Sequence, residues 1–226
     1  MQNIIAQAHP QWHKLLECAL SVMDNQYLDK LQSSYNWLPG IKSIFSAFSL
    51  PLSVTQYILL GESPYPRPQS ANGYAFWDQA VQSIWSDKGF SKQVNRATSL
   101  RNFIKMLLLA RGDLMKDLSQ DAIAKLDKSQ YVQTGAELFG AFMSKGFLLL
   151  NASLVYSEGQ IPYHARQWRP FIHKLFQQLT EHNAPLKLVL LGRIAEQIPQ
   201  TSLFPVLLAE HPYNISFITN PAVVKF

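Results

Sequence analysis

The chain has 226 residues, of which 47% are hydrophobic and 15% are charged, which is typical of a well-buried globular domain and excludes a disordered chain. The net charge of +5 is compatible with an anionic partner such as nucleic acid, although many basic proteins bind none. The single cysteine, Cys18, excludes an internal disulfide and cysteine-ligated metal or iron–sulfur sites. Because no secretory pattern and no apolar run of about 18 residues occur, we expect one cytoplasmic domain over residues 1–226 without a membrane span.

Helical and strand-like hydrophobic patterns alternate along the chain. The predicted helices, in chain order, are 12–23, 26–33, 100–111, 119–126, 136–143, 168–180 and 194–198. The predicted strands are 56–60, 147–150, 186–191 and 206–209. Because these strands are short apolar runs, as in strands buried on both faces, we predict an α/β fold: three α/β/α layers with a central, mainly parallel four-stranded sheet.

The most informative stretch begins at the first predicted strand and continues into Gly61-Glu62-Ser63-Pro64-Tyr65-Pro66. Each proline fixes its own φ and restricts the preceding residue, so Ser63 and Tyr65 are held in place. Open α/β sheets bind ligands at the carboxyl ends of their strands, which is where this loop lies. A purely structural strand-to-helix turn is the alternative interpretation.

The other predicted strands also end in residues that can do chemistry. Asn151 follows the second strand, Gly192-Arg193 follows the third, and His211-Pro212 follows the fourth. If the strands are parallel, these groups meet the Ser63 loop in one crevice. The polar stretch 88–98 could contact phosphates, but a solvated surface loop is the commoner case.

Five segments in this order resemble the uracil-DNA glycosylase superfamily, most closely its family 1, from Trp12 to about Phe226. Any one segment is a weak match, but five in order are specific. They resemble the water-activating loop (61–66), the segment ending in the uracil-stacking phenylalanine (69–76), the phosphate-contacting serine with its helix (98–105), the strand bearing the uracil-reading asparagine (148–152) and the minor-groove loop (211–216).

The resemblance implies a monomeric DNA-repair enzyme that flips uracil out of DNA, hydrolyses its glycosidic bond and leaves an abasic site, without metal or cofactor. It implies that Asn151 reads the uracil edge, that Phe76 stacks on the ring and that Tyr65 excludes a thymine methyl group. It further implies that His211 donates a hydrogen bond to the developing charge on uracil O2.

DNA contacts follow from the same resemblance. Ile215 would fill the hole that the flipped base leaves in the stack, as apolar wedges do at unstacked steps. Ser99 and Ser216 would bind phosphates, and Pro212 would be a DNA-binding residue of the minor-groove loop. Taken singly, such residues more often serve only packing or turn formation.

Departures from the family pattern concern the catalytic loop. Ser63 stands where family 1 has the aspartate that positions the attacking water, and Pro66 replaces a histidine. Glu62 is the nearest carboxylate and could activate the water. One alternative is therefore a catalytically weakened member that recognises DNA or a partner protein; another is an unrelated α/β enzyme.

Overall fold

A computed structural model describes residues 2–34, 36–181, 186–194 and 203–226. A parallel sheet forms the centre of the described structure, with four strands in the order β4-β1-β5-β6. The strands of the chain are β1 (Tyr57–Gly61), β2 (Trp85–Ser86), β3 (Gly89–Phe90), β4 (Phe147–Asn151), β5 (Lys187–Leu191) and β6 (Val206–Ala209). Strands β2 and β3 make a separate antiparallel hairpin. The predicted sheet is confirmed, and all four of its strands are parallel.

The helices surround this sheet. The α-helices are α1 (Gln2–Ile5), α2 (His13–Leu20), α3 (Asn25–Ser33), α4 (Lys92–Arg96), α5 (Thr98–Ala110), α6 (Gln120–Ala124), α7 (Gly135–Ser144), α8 (Ile161–Glu181) and a short C-terminal helix (Pro221–Val224). Short 3₁₀ helices lie at Pro10–Trp12, Ser46–Ser49, Leu52–Val54, Lys128–Gln130 and Ile215–Thr219. Side chains of Asp24, Ser119 and Thr134 accept hydrogen bonds from the first turns of α3, α6 and α7, and so satisfy amides that lack helical partners.

Two apolar cores lie on the two faces of the sheet, because successive strand residues point to opposite sides. On β1, Ile58 and Leu60 face the core shared with α2, α3 and α8. Leu59 faces the second core, which α5 and α7 cover. Full burial of such side chains contributes roughly 2 kcal/mol each. The result is the predicted α/β/α layering, which leaves the carboxyl ends of the strands open at one edge.

Two helices differ from the sequence prediction. Helix α8 begins at Ile161, seven residues before the predicted start at Trp168. Residues 161–167 bury only His164, so no buried apolar stripe indicated this part of the helix. The polar stretch 88–98 contains α4, which the Ser91 hydroxyl caps by accepting from the Val94 amide. Of the predicted helix 194–198, residues 195–198 lie outside the described residues. Within the described ranges, no helix is long and apolar enough to cross a membrane.

Candidate active site

A cavity of about 900 Å³ opens at the carboxyl ends of the parallel strands. The loops that follow β1, β4, β5 and β6 all contribute to its wall. Its lining contains Leu60, Gly61, Glu62, Ser63, Pro64, Tyr65, Pro66, Phe76, Ser99, Asn151, Leu191, Gly192, Arg193, Ile194, His211 and Asn214. Seven of the ten residues predicted for the site therefore line one cavity; Pro212, Ile215 and Ser216 lie on the adjoining loop.

Asn151 forms the inner wall of the cavity and is only 2% exposed. It is the last residue of β4 and pairs in register with Gly61, the last residue of β1. A Cβ on Gly61 would stand 2.5 Å from Asn151 Oδ1, so the glycine leaves the space that this amide occupies. The two loops are then joined by backbone bonds, from Ala152 N–H to the Gly61 carbonyl (2.8 Å) and from Ser153 N–H to the Glu62 carbonyl (3.0 Å).

Phe76 lies on another wall and has a positive φ of 63°. This left-handed conformation is strained for an aromatic residue, so the surroundings must hold it. The Tyr65 hydroxyl donates a hydrogen bond to the Phe76 carbonyl at 3.1 Å, and the Ala75 amide donates to the Leu149 carbonyl at 3.0 Å. Burial raises the pKa of Tyr65, so its hydroxyl remains a donor at neutral pH.

His211 follows β6 and reaches the cavity from the opposite side. Its ring lies 6.5 Å from that of Phe76, centre to centre, and packs on Gly192, where a Cβ would come within 2.9 Å of His211 Cβ. The Tyr213 amide donates to His211 Nδ1 at 3.1 Å, so the ring proton of neutral His211 resides on Nε2. Desolvation lowers the pKa of His211, and the Glu62 carboxylate acts in the opposite direction.

Glu62 and Ser63 occupy the loop directly after β1. Glu62 is exposed to the solvent of the cavity, whereas Ser63 is half-buried and Pro64 behind it is buried. The loop is also fixed from the side by Arg67, whose guanidinium donates at 3.0 Å to the buried carboxylate of Asp78. The loop after β1 is thus held at both ends while the Glu62 side chain faces water.

The remaining predicted DNA contacts lie at the cavity mouth and beside it. Ser99, in the first turn of α5, lines the mouth. Pro212 is buried under the loop, and Ile215 is 81% exposed at its tip. Hydrogen bonds from its own backbone amide and from the Asn220 side chain help to hold the pKa of Glu210, the residue before His211, below its ordinary value. Ser216 is exposed on the same loop.

The structure of this chain closely resembles a solved structure. It superposes on the crystal structure of wild-type UNG from Nitratifractor salsuginis with a TM-score of 0.94 and 40% sequence identity, covering 99% of this chain and 92% of that one. The chain belongs to the uracil-DNA glycosylase superfamily.

More distant glycosylases agree with this assignment. The uracil-DNA glycosylase of Streptococcus pyogenes serotype M49 is 26% identical over 196 residues, which cover 84% of this chain and 76% of that protein. Mimivirus uracil-DNA glycosylase shares the fold, with a TM-score of 0.62 and 18% identity over 93% of this chain and 71% of that one. No family model matches the chain.

Two residues of this glycosylase have roles at the site that the sequence did not indicate. Asn102 is 4% exposed, and its Nδ2 donates to the carbonyls of Pro212 (2.8 Å) and Tyr213 (3.3 Å), 110 and 111 residues away. Its signal in the sequence was a polar residue between Leu100 and Phe103 in an apolar helix. Gly192, with φ of +87°, is the second, because it makes room for His211. Among the residues described, no cluster of three His, Cys, Asp or Glu side chains could hold a metal ion.

Proposed function

We propose that this protein hydrolyses the N-glycosidic bond of uracil in DNA and leaves an abasic site, after flipping the nucleotide into the 900 Å³ cavity. One observation carries the proposal: a buried amide, an aromatic face and a neutral imidazole with a free N–H line the same cavity. Those are the groups needed to read, stack and polarise a uracil ring. The enzyme acts as a monomer and needs no metal or cofactor in this proposal.

Base recognition is assigned to Asn151. Its amide offers one acceptor and two donors, which match the N3–H and 4-oxo groups of uracil and mismatch the 4-amino group of cytosine. Because the amide is 2% exposed, a wrong base would leave a buried polar group unpaired, which is a strong penalty. Phe76 stacks on the ring, and Tyr65 occupies the space that a thymine methyl group would need.

Bond cleavage is assigned to His211. The bond between deoxyribose C1′ and uracil N1 breaks, its electron pair passes to uracil, and negative charge develops on O2. Nε2–H of His211 is the placed donor for that oxygen, since Nδ1 already accepts from the Tyr213 amide. The lowered pKa of His211 keeps the ring neutral, so it stabilises the charge as a donor without transferring its proton.

Water then adds to C1′ and loses a proton. Glu62 is the carboxylate in the cavity lining that can take this proton and offset positive charge on the sugar. Ser63 contributes a hydroxyl that orients the water by a hydrogen bond, although it is a poor base. Both assignments rest on the positions of these residues in the loop after β1.

DNA binding uses the rim of the cavity. Ser99 binds a phosphate near the flipped nucleotide, and Ile215 enters the gap in the base stack from the exposed tip of its loop. Pro212 and Ser216 shape and support that loop. The exposed hydroxyl of Ser216 would bind a second phosphate.

A second candidate function is a protein that recognises uracil-containing DNA and cuts it poorly. The observation that favours it is Ser63, a neutral residue at the position where the family pattern has a carboxylate. The cavity, Asn151 and Phe76 would serve binding in that case.

Excision from a uracil-containing oligonucleotide, single- and double-stranded, separates the two. We expect native protein to cut, Glu62→Gln to cut at least about tenfold more slowly, and Ser63→Asp to cut faster. Glu158→Gln is the matched control, since this exposed carboxylate lies outside the cavity lining, and it should leave the rate unchanged. Cutting by Ser63→Asp alone would establish the binding protein, and full activity in Glu62→Gln would remove Glu62 from its role.

A further inference from the structure

One peptide group lies between Asn102 and His211. The peptide that joins Pro212 to Tyr213 accepts the Asn102 amide on its carbonyl, at 2.8 Å. The N–H of the same peptide donates to His211 Nδ1, at 3.1 Å. In a trans peptide these two groups point in opposite directions within the peptide plane, so Asn102 and the imidazole ring bind to opposite edges of the same peptide.

We propose that Asn102 is a positioning residue for His211: it fixes the Pro212–Tyr213 peptide plane and thereby keeps the catalytic imidazole in its Nε2–H tautomer. This inference rests on the proposed function, in which Nε2–H is the donor to uracil. Asn102 itself does not line the cavity and acts only through the peptide.

The contacts of Asn102 leave little freedom in its orientation. Both partners, the carbonyls of residues 212 and 213, can only accept, so the amide nitrogen must face them. The side chain is 4% exposed, which makes an unpaired amide or carbonyl costly at this position. Hydrogen bonds in a chain also polarise one another, so the bond to the carbonyl strengthens the N–H as a donor to His211.

Helix α5, which carries Asn102, is held in place by the contacts of neighbouring residues. Phe103, the next residue, stacks on Phe217 of the 3₁₀ helix that follows the loop, with ring centres 6.0 Å apart. Ser99, one turn earlier, lines the mouth of the cavity. Helix α5 therefore carries three neighbouring contacts: Ser99 with the cavity, Asn102 with the peptide beside His211, and Phe103 with the 3₁₀ helix after the loop.

The decisive readout is the tautomer of His211, which a residue that merely stabilises the fold would not change. Protein with ¹⁵N-labelled histidine is followed by long-range ¹H–¹⁵N correlation between pH 5 and pH 8, with His211→Gln used only to assign the signals. The charged groups on the elements around this ring are Glu62, Arg193 and Glu210. Native protein should show protonated Nε2 and bare Nδ1 through the neutral range.

Asn102→Leu removes the donor at similar volume, and Asn102→Asp replaces it with a carboxylate that repels both carbonyls. In either variant we expect a mixture of His211 tautomers and a higher pKa of His211. The reason is that the Tyr213 N–H, which disfavours protonation of Nδ1, is no longer held in place. The rate of uracil excision at saturating DNA should fall about tenfold, with little change in KM. This loss is smaller than the one expected for removing the His211 donor itself.

Asn95→Leu is the matched control, because Asn95 also donates from a side-chain amide to a backbone carbonyl, that of Phe90, at 3.2 Å. It should change neither the tautomer nor the pKa of His211. An unchanged tautomer and pKa in folded Asn102→Leu and Asn102→Asp would overturn the proposal, and so would a native His211 protonated on Nδ1. A native protein that excises no uracil would instead contradict the proposed function, while the spectra would still decide the role of Asn102.

Discussion

The amide oxygen of Asn151 lies 2.5 Å from the point where a Cβ on Gly61 would stand. The two residues are partners in the register of the neighbouring strands β1 and β4. The φ of Gly61 is not in the left-handed region, so the residue is needed for space and not for backbone freedom. The position of the Asn151 amide, which we propose reads the base, thus depends on a residue without a side chain.

Gly61→Ala should therefore impair excision without unfolding the protein. The added methyl group displaces the Asn151 amide, and a misplacement of about 1 Å in an active site lowers the rate by about 100-fold. Single-turnover excision of uracil, together with a thermal melt, measures both effects.

The control for this prediction is Gly140→Ala on α7, where a Cβ meets no atom within 4 Å. That variant should retain full activity and gain about 0.5–1 kcal/mol of stability, since alanine favours the helix. Native-like excision by Gly61→Ala would mean that the placement of Asn151 does not limit the reaction.

Two substitutions of Tyr65 should separate its hydrogen bond to Phe76 from its exclusion of thymine. Tyr65→Phe loses the 3.1 Å bond to the Phe76 carbonyl but keeps the ring, so uracil excision should fall about fivefold and thymine should remain excluded. Tyr65→Ala opens the space beside C5 and should admit thymine at a detectable rate. Excision from matched oligonucleotides with U·G and T·G pairs tests this. Thymine excision by Tyr65→Phe, or none by Tyr65→Ala, would contradict the steric role.

Much of the site could be predicted because it follows directly from local sequence. The strands are mainly apolar runs, and each is followed by glycine or a polar residue, as Leu150 is by Asn151. Once the strands are parallel, their last residues must share an edge of the sheet. The order of the motifs along the chain supported the family resemblance, and that resemblance assigned a chemical role to each of these residues.

The rest depends on contacts that no local pattern contains. Asn102 bonds to carbonyls 110 and 111 residues away, so its role requires the packed structure. Helix α4 has only five residues and depends on the Ser91 cap, which is too little periodicity to detect. The hairpin beside it is held by Trp85 stacked on Phe90, at 5.5 Å, and by the positive φ of Gly89.

Acid should destabilise the protein through His164, which is 4% exposed in the core beside Tyr27. Trp168 donates to the Tyr27 hydroxyl at 3.0 Å, and that hydroxyl lies 2.7 Å from His164 Nδ1. Burial lowers the pKa of His164, so the unfolded chain binds the proton more readily than the folded protein. Its contribution to stability is complete above the ordinary pKa of about 6.5 and is lost as the pH falls below it.

We therefore expect the melting temperature to fall between pH 7.5 and pH 5.5, and less so in His164→Gln, which cannot titrate. His173 and His211 also have lowered pKa values, so the variant should remove only part of the dependence. Equal pH dependence of the melting temperature in both proteins would show that His164 is not a source of acid sensitivity.

Ile215 should increase the rate of uracil excision from duplex DNA but not from single strands. Its side chain is 81% exposed at the loop tip, where it can enter the gap left by a flipped base. Unstacking a base step costs a few kcal/mol in a duplex, so Ile215→Ala should lower duplex excision by about tenfold. A single strand has no stack to fill, so the rate of uracil excision from it should stay within about twofold of the native rate.

Met115→Ala is the control for Ile215→Ala, since Met115 is 79% exposed and lies outside the cavity lining. Equal losses on both substrates would indicate a general defect of the loop and not a wedge.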